Sequence, residues 1–325
     1  MPNAIIITAP GGAENLKYVE IPYKAPAPTE VRIKTTCIGV NYIDIYQRNG
    51  LYPVGAPFIP GVEAAGIIEE IGSNTEGVAV GDRVIFGTSP SPAFAYATHV
   101  NIDQKYAIKI PFDISDEALL SLFMKGLTAH YLLCRIFYVL PDNTILVHSA
   151  AGGVGTYMCQ WASFIGAKII GTVSSDEKAK WATANGCTHV INTSRQDFVK
   201  ATMEITGGKG VPVVYDAVGK DTFMQSLECL APMGLMVSYG QSSGAIPPVD
   251  LSVLSKKSLF LTRPSVFNYK ADRNELVLTA MELFEGMRQN VLKPRIGQKF
   301  ALKDAAHAHK LLESRQTMGS ILLIP

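Results

Sequence analysis

The chain has 325 residues, 47% of them hydrophobic and 18% charged, with a formal net charge of +1. That length allows two domains with ample core, while near-neutral charge without a basic run excludes the footprint of a nucleic-acid or anionic-membrane binder. The five cysteines, Cys37, Cys134, Cys159, Cys187 and Cys229, are widely spaced with no CxxC, which argues for reduced core thiols over a disulfide framework or a zinc cluster.

The N-terminus MPNAIIITAPGGAENL lacks a basic region followed by a long apolar one, and no apolar run elsewhere reaches about 18 residues. A cytoplasmic, membrane-free protein is expected. Residues 1 to about 110 carry short β-like runs broken by glycine and proline: Ala4–Thr8, Val31–Thr36, Ala65–Ile71, Arg83–Phe86 and Ala95–Val100. This spacing predicts a partly closed all-β unit. Its longest irregular insertion, Asn41–Pro60, gathers Asn41, Asp44, Tyr46, Arg48 and Tyr52, and loops carry function more often than the scaffold does.

From Ser115 the pattern turns helical, through Leu119, Leu122, Phe123 and Leu127 to Leu133. A strand at Thr144–Val147 then opens an alternation: helix 153–165, strand 167–173, helix 176–185, strand 188–192, helix 196–206, strand 212–216, helix 221–230, strand 234–239. Such alternation with crossover-sized gaps means a parallel sheet covered on both faces. Ser258–Thr262 reads as an added edge strand, and an exposed edge invites pairing with a second copy. A helix at Asn274–Gln289, a strand at Gln298–Phe300, a helix at Lys303–Ser314 and a final strand at Ser320–Ile324 complete the chain. The last strand is expected to fold back onto the first domain, making that domain discontinuous.

The centre of the chain is His148–Gly155, HSAAGGVG, between the strand at 144 and the helix at 153. Ala150, Gly152 and Gly155 occupy the small-residue positions of a dinucleotide fingerprint, with alanine in the first place. The helix N-terminus beyond it offers unpaired N–H groups to phosphates. The second strand ends Gly171-Thr172-Val173-Ser174-Ser175, without the acid that receives adenosine ribose hydroxyls in NAD sites. Ser174, Ser175 and Lys178 there point toward the 2′-phosphate of NADPH. Asp176 and Glu177 are assigned to the first turn of the next helix, where negative charge suits the dipole.

Seven segments together, NYIDIYQRNGLYP, PGVEAAGII, GDRV, KGLTA, HSAAGGVG, VVYDAVG and ESRQTMGSILLIP, make the whole chain resemble the zinc-independent NADPH:quinone oxidoreductases of the medium-chain dehydrogenase/reductase superfamily. The resemblance implies an α/β chain with a GroES-like, mostly-β catalytic domain (1–123 and 294–325) and a Rossmann doubly wound NADPH-binding domain (124–293). It also implies a cleft between them and a homodimer through the cofactor domain's sheet edge. Zinc enzymes of the superfamily carry a cysteine ligand where this chain has Asn41 and a histidine where it has Val62. An amide and an isopropyl group cannot replace those ligands.

The chemistry implied is hydride delivery from NADPH to a quinone or an α,β-unsaturated carbonyl. Asn41 is the candidate donor to the developing oxyanion, and Tyr46 and Tyr52 are candidates to orient the acceptor or relay a proton; both tyrosines serve equally as loop packing. Asp44 and Arg48 are read as pairing with each other or with the loop backbone, Glu63 as structural, and His148, His307 and His309 as structural or solvated. Carried over as cofactor contacts are Asn41, Thr128, Gly152, Gly153, Val154, Ser174, Lys178, Thr193, Gly240, Gln241, Ser242, Arg263 and Arg315. Thr193 stands where close quinone reductases have a tyrosine that helps hold the 2′-phosphate, which implies a looser grip on NADPH. The competing readings are an enone or enoyl-thioester reductase and an NADPH-binding structural or regulatory protein.

Overall fold

The longest strand, Glu30–Val40, organises the first of two units in this computed structural model, which describes residues 1–87 and 94–325. The first unit comprises residues 1–124, 269–288 and 293–325; the second comprises 125–268 and 289–292. Val31, Ile33 and Ile38 of the long strand are fully buried, each such side chain contributing about 1.5–3 kcal/mol. The strand pairs antiparallel with Ala64–Ile71, with His99–Asp103 and with the C-terminal Ser320–Ile324. Ile296–Ala301 lies parallel to that C-terminal strand, so the end of the chain does return to the first unit's sheet. Arg83–Phe86 and Ile108–Lys109 extend the far side, and a separate hairpin joins Asn3–Ile6 to Lys17–Glu20.

Three expectations change here. The strand expected at Ala95–Val100 begins at His99. The backbone of Ala95 and Tyr96 donates instead to Gly61 and Pro60, and Thr98 to Asn3, so this stretch stitches three segments before the ladder starts. Inside the supposed irregular insertion, Tyr42–Arg48 forms a helix. Asn41 and Asp44 start it as a capping-box pair. Finally, the helix Arg273–Arg288, expected in the cofactor domain, belongs to the first unit. Arg273 donates to the carbonyl of Ala107 at 2.9 Å and Arg288 pairs with Asp113 at 2.8 Å; these side-chain ties anchor the helix and have no signature in hydrophobic periodicity.

The second unit is a six-stranded parallel sheet in the order His189–Asn192, Lys168–Val173, Thr144–Val147, Val211–Asp216, Leu230–Ser238, Phe260–Thr262. Numbered within the unit this is 3-2-1-4-5-6, the Rossmann order, with its switch point between the first and fourth strands. Ile145, Leu146 and Val147 are fully buried, as expected for a strand covered on both faces. The helix Gly153–Ile165 stops at Gly166, whose φ of 97° forms the left-handed C-cap that a side chain would strain. The fifth strand starts at Leu230, earlier than expected, because a register shift after Val211 absorbs the irregular Met233-Gly234. Phe260–Thr262 is the edge strand, with Phe260 exposed. The cysteines are free thiols, four buried and Cys134 partly so.

Candidate active site

The turn after Thr144–Val147 is shaped by close approach. A Cβ on Gly155 would strike the Ser149 carbonyl oxygen and lie 2.9 Å from the Ala150 Cα, both backbone atoms that cannot yield. The helix can therefore sit this near the strand only with glycine at 155. Ala150 takes the first fingerprint place fully buried, its N–H donating to the Thr172 carbonyl at 3.0 Å. Gly152 is the extended N-cap, and no side-chain hydrogen bond caps the helix there, leaving the first-turn amides without a capping side chain. Gly153 and Val154 open that helix.

At the end of the neighbouring strand, Ser175 caps the helix Asp176–Ala184 by accepting from the Lys178 N–H, and Lys178 Nζ reaches Ser174 Oγ at 3.3 Å. Asp176 and Glu177 do lie in that helix's first turn. Asp176 is turned toward Asn192 Nδ2 (2.9 Å) and Arg195 (2.6 Å). Thr193 follows the third strand and its Oγ1 donates to the Val173 carbonyl at 3.1 Å, so this hydroxyl is already committed to backbone.

Across the switch point, buried Asp216 ends the fourth strand and accepts from the Val218 and Gly219 amides and from Thr222 Oγ1. That carboxylate shapes the loop against which Gly240 and Ser242 dock: their amides donate to the carbonyls of Asp216 and Ala217. Gln241 Oε1 accepts from the Ile246 amide, and Arg263 Nη1 donates to Ser238 Oγ at 3.3 Å at the C-terminal ends of strands five and six. Thr128 lies one helical turn beyond Lys125 and on the same helix face. Lys125 was not singled out from sequence. Its methylenes cover Gly153, where a Cβ would meet Cδ at 3.1 Å; a buried lysine in KGLTA, beside a fingerprint glycine, was the available signal.

Beneath this edge His148 is fully buried, with Nδ1 against Thr172 Oγ1 and Nε2 against Ser226 Oγ, both at 2.9 Å. Burial lowers its pKa, with the Asp216 charge opposing, so it is a neutral core histidine.

In the first unit, Tyr46 and Tyr52 come together with Tyr42, on and after the helix that Asn41 begins. The Tyr46 and Tyr52 rings are 5.1 Å apart and tilted by 58°, those of Tyr42 and Tyr46 5.9 Å apart. The Tyr52 amide donates to the Tyr46 carbonyl. Tyr42 Oη donates to the Leu312 carbonyl; burial raises its pKa, while the adjacent Arg315 guanidinium draws it down. Arg315 thus sits beside the tyrosine helix, whereas the other carried-over contacts apart from Asn41 lie in the second unit. Asn41 Nδ2 donates to Glu63 Oε1 at 2.8 Å, and Glu63 Oε2 accepts from the Met124 amide at 3.0 Å.

Behind that helix runs a buried polar network. The Asn41 amide and Tyr96 Oη both bond Asp44 Oδ2, at 2.8 and 3.0 Å. Tyr96 Oη also meets His309 Nε2 at 3.0 Å, and His309 Nδ1 meets Arg48 Nη1 at 3.3 Å. Arg48 can only donate, so Nδ1 accepts, Nε2 carries the proton and donates to Tyr96, and Tyr96 passes its own hydrogen to Asp44. Arg48 forms a two-pronged pair with Glu313, at 2.6 and 3.1 Å, and its Nε donates to the Gly11 carbonyl at 3.1 Å. Burial first, then the Arg48 charge, pushes His309 down to about 3.

Among the described residues, no group of three or more His, Cys, Asp or Glu is placed to hold a metal. The Asn41 and Val62 positions supply no thiolate or imidazole.

A parallel sheet in Rossmann order with an anion-ready helix N-terminus, joined to a mostly-β unit bearing an amide and tyrosines, defines a two-domain dehydrogenase or reductase. Two family models match, the alcohol dehydrogenase GroES-like domain over residues 27–135 and the zinc-binding dehydrogenase over residues 153–284. Quinone oxidoreductase 1 of Escherichia coli is 47% identical over 97% of each chain, and a 2-haloacrylate reductase from a Burkholderia species is 43% identical over 99% of this chain and 98% of its own. The crystal structure of the Escherichia coli quinone oxidoreductase complexed with NADPH superposes with a TM-score of 0.97 at 46% identity, covering 99% of this chain and all of the other. The chain belongs to the quinone oxidoreductases, the zinc-independent branch of the medium-chain dehydrogenase/reductase superfamily.

Proposed function

We propose that this protein reduces quinones with NADPH, without a metal. The observation that carries the reading is the pairing of an uncapped Gly152 helix N-terminus with a strand end that bears Ser174 and Lys178 and no ribose-binding acid. Those residues fit a dinucleotide with a 2′-phosphate: amides and dipole at Gly152–Val154 for the pyrophosphate, Lys178 and Ser174 for the 2′-phosphate. NADPH, once bound, supplies a hydride. Gly240, Gln241, Ser242 and Arg263 follow the C-terminal ends of the fifth and sixth strands of the same sheet, Thr128 lies on the helix that carries Lys125, and Arg315 stands by the tyrosines. Asn41 donates a hydrogen bond to the oxygen that gains charge on the acceptor, and Tyr46 and Tyr52 stack on or orient the acceptor ring. Thr193, with its hydroxyl bound to Val173, adds little to the phosphate grip.

Lys178→Ala is expected to raise KM for NADPH by about 10-fold or more, in keeping with a charge-assisted phosphate contact, and to leave KM for NADH nearly unchanged. Equal effects on both cofactors would remove Lys178 from the phosphate site.

The exposed edge strand Phe260–Thr262 supports a homodimer formed by continuing the sheet into a second copy. A second substrate class, activated alkenes conjugated to a carbonyl or carboxylate, is favoured by the similarity to a 2-haloacrylate reductase. Oxidation of NADPH by the purified protein, against an ortho-quinone, a para-quinone, a simple enone and an enoyl thioester, separates these. Quinone-centred turnover is expected. Preference for the enone moves the substrate, and tight NADPH binding without turnover on any acceptor overturns the enzymatic reading in favour of a binding protein.

A further inference from the structure

The place that zinc ligands occupy in related dehydrogenases is here taken by an amide held against a buried carboxylate, and the chemistry of that pair is asymmetric. Glu63 is fully buried. Its carboxylate fits because residue 39 on the adjacent strand is glycine: a Cβ there would strike Oε1 and stand 2.6 Å from Cγ and Cδ. One carboxylate oxygen receives the Met124 backbone N–H and the other receives Asn41 Nδ2.

We infer that Glu63 is a positioning residue for the reaction: it sets which end of the Asn41 amide meets the substrate. An ionised carboxylate accepts at both oxygens and donates at neither. The Asn41 side chain must therefore present Nδ2 toward Glu63. An NH2 group has two hydrogens, so one serves Glu63 and the second is aimed outward as a donor of fixed direction. Without the carboxylate the amide can turn over and offer its oxygen instead, which would repel a developing oxyanion. This deepens the proposed reaction and rests on the reading of Asn41 as the oxyanion donor.

Glu63→Gln tests the idea at constant shape. The Met124 backbone N–H cannot turn round, so the introduced glutamine must give it the carbonyl oxygen and show its NH2 to Asn41. Two NH2 groups then face each other, and Asn41 relieves the clash by flipping. The expected result is a fall in kcat of about 100-fold, the scale of losing one oxyanion donor, with an unchanged dissociation constant for 2′,5′-ADP, which probes only the adenosine end of the cofactor site. In an Asn41→Ala background the same substitution is expected to change kcat by less than about 2-fold, because residues that act through one another are not additive.

An equal loss in both backgrounds, or wild-type kcat in Glu63→Gln, would overturn the inference. Wild-type kcat in Asn41→Ala alone would overturn the reading of Asn41 and this inference with it, while quinone turnover itself would stand. Should Glu63→Gln fail to fold, amide NMR of the wild-type protein decides. One Nδ2 proton of Asn41 is expected well downfield of its geminal partner and protected from solvent exchange by the carboxylate; both protons at the shifts and exchange rates of a solvent-exposed asparagine amide would refute the assignment.

Discussion

Asn41→Ala is expected to lower kcat for quinone reduction by about 10²–10³-fold, the range found when one preorganised oxyanion donor is removed. Stability complicates the measurement, because Asn41 is also the N-cap of the helix Tyr42–Arg48, and losing a cap costs about 1 kcal/mol. Asn41→Ser separates the two roles. Serine caps a helix as well as asparagine does, but its hydroxyl is one bond short of the position of Nδ2. Serine should therefore raise the thermal midpoint above that of the alanine variant by the cap's share, the bond to buried Glu63 being lost in both, while kcat stays as low as in the alanine variant. Recovery of kcat along with the midpoint would mean that Asn41 acts only through the fold of the helix, and the acceptor oxygen would need another donor.

The second large effect is a loss of stability on mild acidification, carried by His309. Its folded pKa, about 3, lies below the ordinary histidine value of 6.5. Burial and the facing Arg48 charge both oppose protonation, while Tyr96 accepts from the ring's other nitrogen. Between these two pKa values the unfolded chain binds a proton that the folded chain refuses, so stability falls as pH drops through 6.5 and the loss is complete only below 3. At pH 5 the penalty relative to pH 7.5 is about 2 kcal/mol, from about 1.36 kcal/mol per pH unit below the unfolded pKa. Buried His148 has a lowered pKa and adds in the same direction.

His309→Gln should keep much of the network, since an amide can accept from Arg48 and donate to Tyr96 without taking a proton. Its unfolding free energy should be flatter between pH 7.5 and 5 than that of the wild type, with the His148 contribution remaining. Identical slopes in urea unfolding across that range would show that His309 is not the group that titrates. The consequence reaches the site, because Asp44 at the end of this network holds the backbone N–H of Asn41.

The contrast between His309 and the fingerprint shows where sequence reading works. HSAAGGVG, the apolar strand before it and the helix Gly153–Ile165 were legible because their constraints are local. A strand buried on both faces must be continuously apolar, and a helix touching a strand requires glycine where a Cβ would strike the Ser149 carbonyl. The final strand Ser320–Ile324 and the edge strand Phe260–Thr262 were visible for the same reason, as short apolar runs bounded by polar residues. The absence of an acid at Ser174 is a fact of sequence, and so is the absence of a thiolate and an imidazole at Asn41 and Val62.

The tertiary structure decided what long-range hydrogen bonds control. The helix Tyr42–Arg48 was hidden because half of its buried face is charged, Asp44 and Arg48 beside Ile45 and Tyr46, with distant partners: Tyr96 is 52 positions from Asp44, and His309 and Glu313 are 261 and 265 from Arg48. Arg273 and Arg288 tie their helix to the first unit through side-chain bonds of the same kind. The orientation of the Asn41 amide belongs to this class too: the sequence names an asparagine and a glutamate 22 residues apart, but only the fold puts a two-sided acceptor against the amide and turns its N–H outward. Local sterics and apolar periodicity are written along the chain, whereas the direction of a hydrogen bond is a property of groups that meet only after folding.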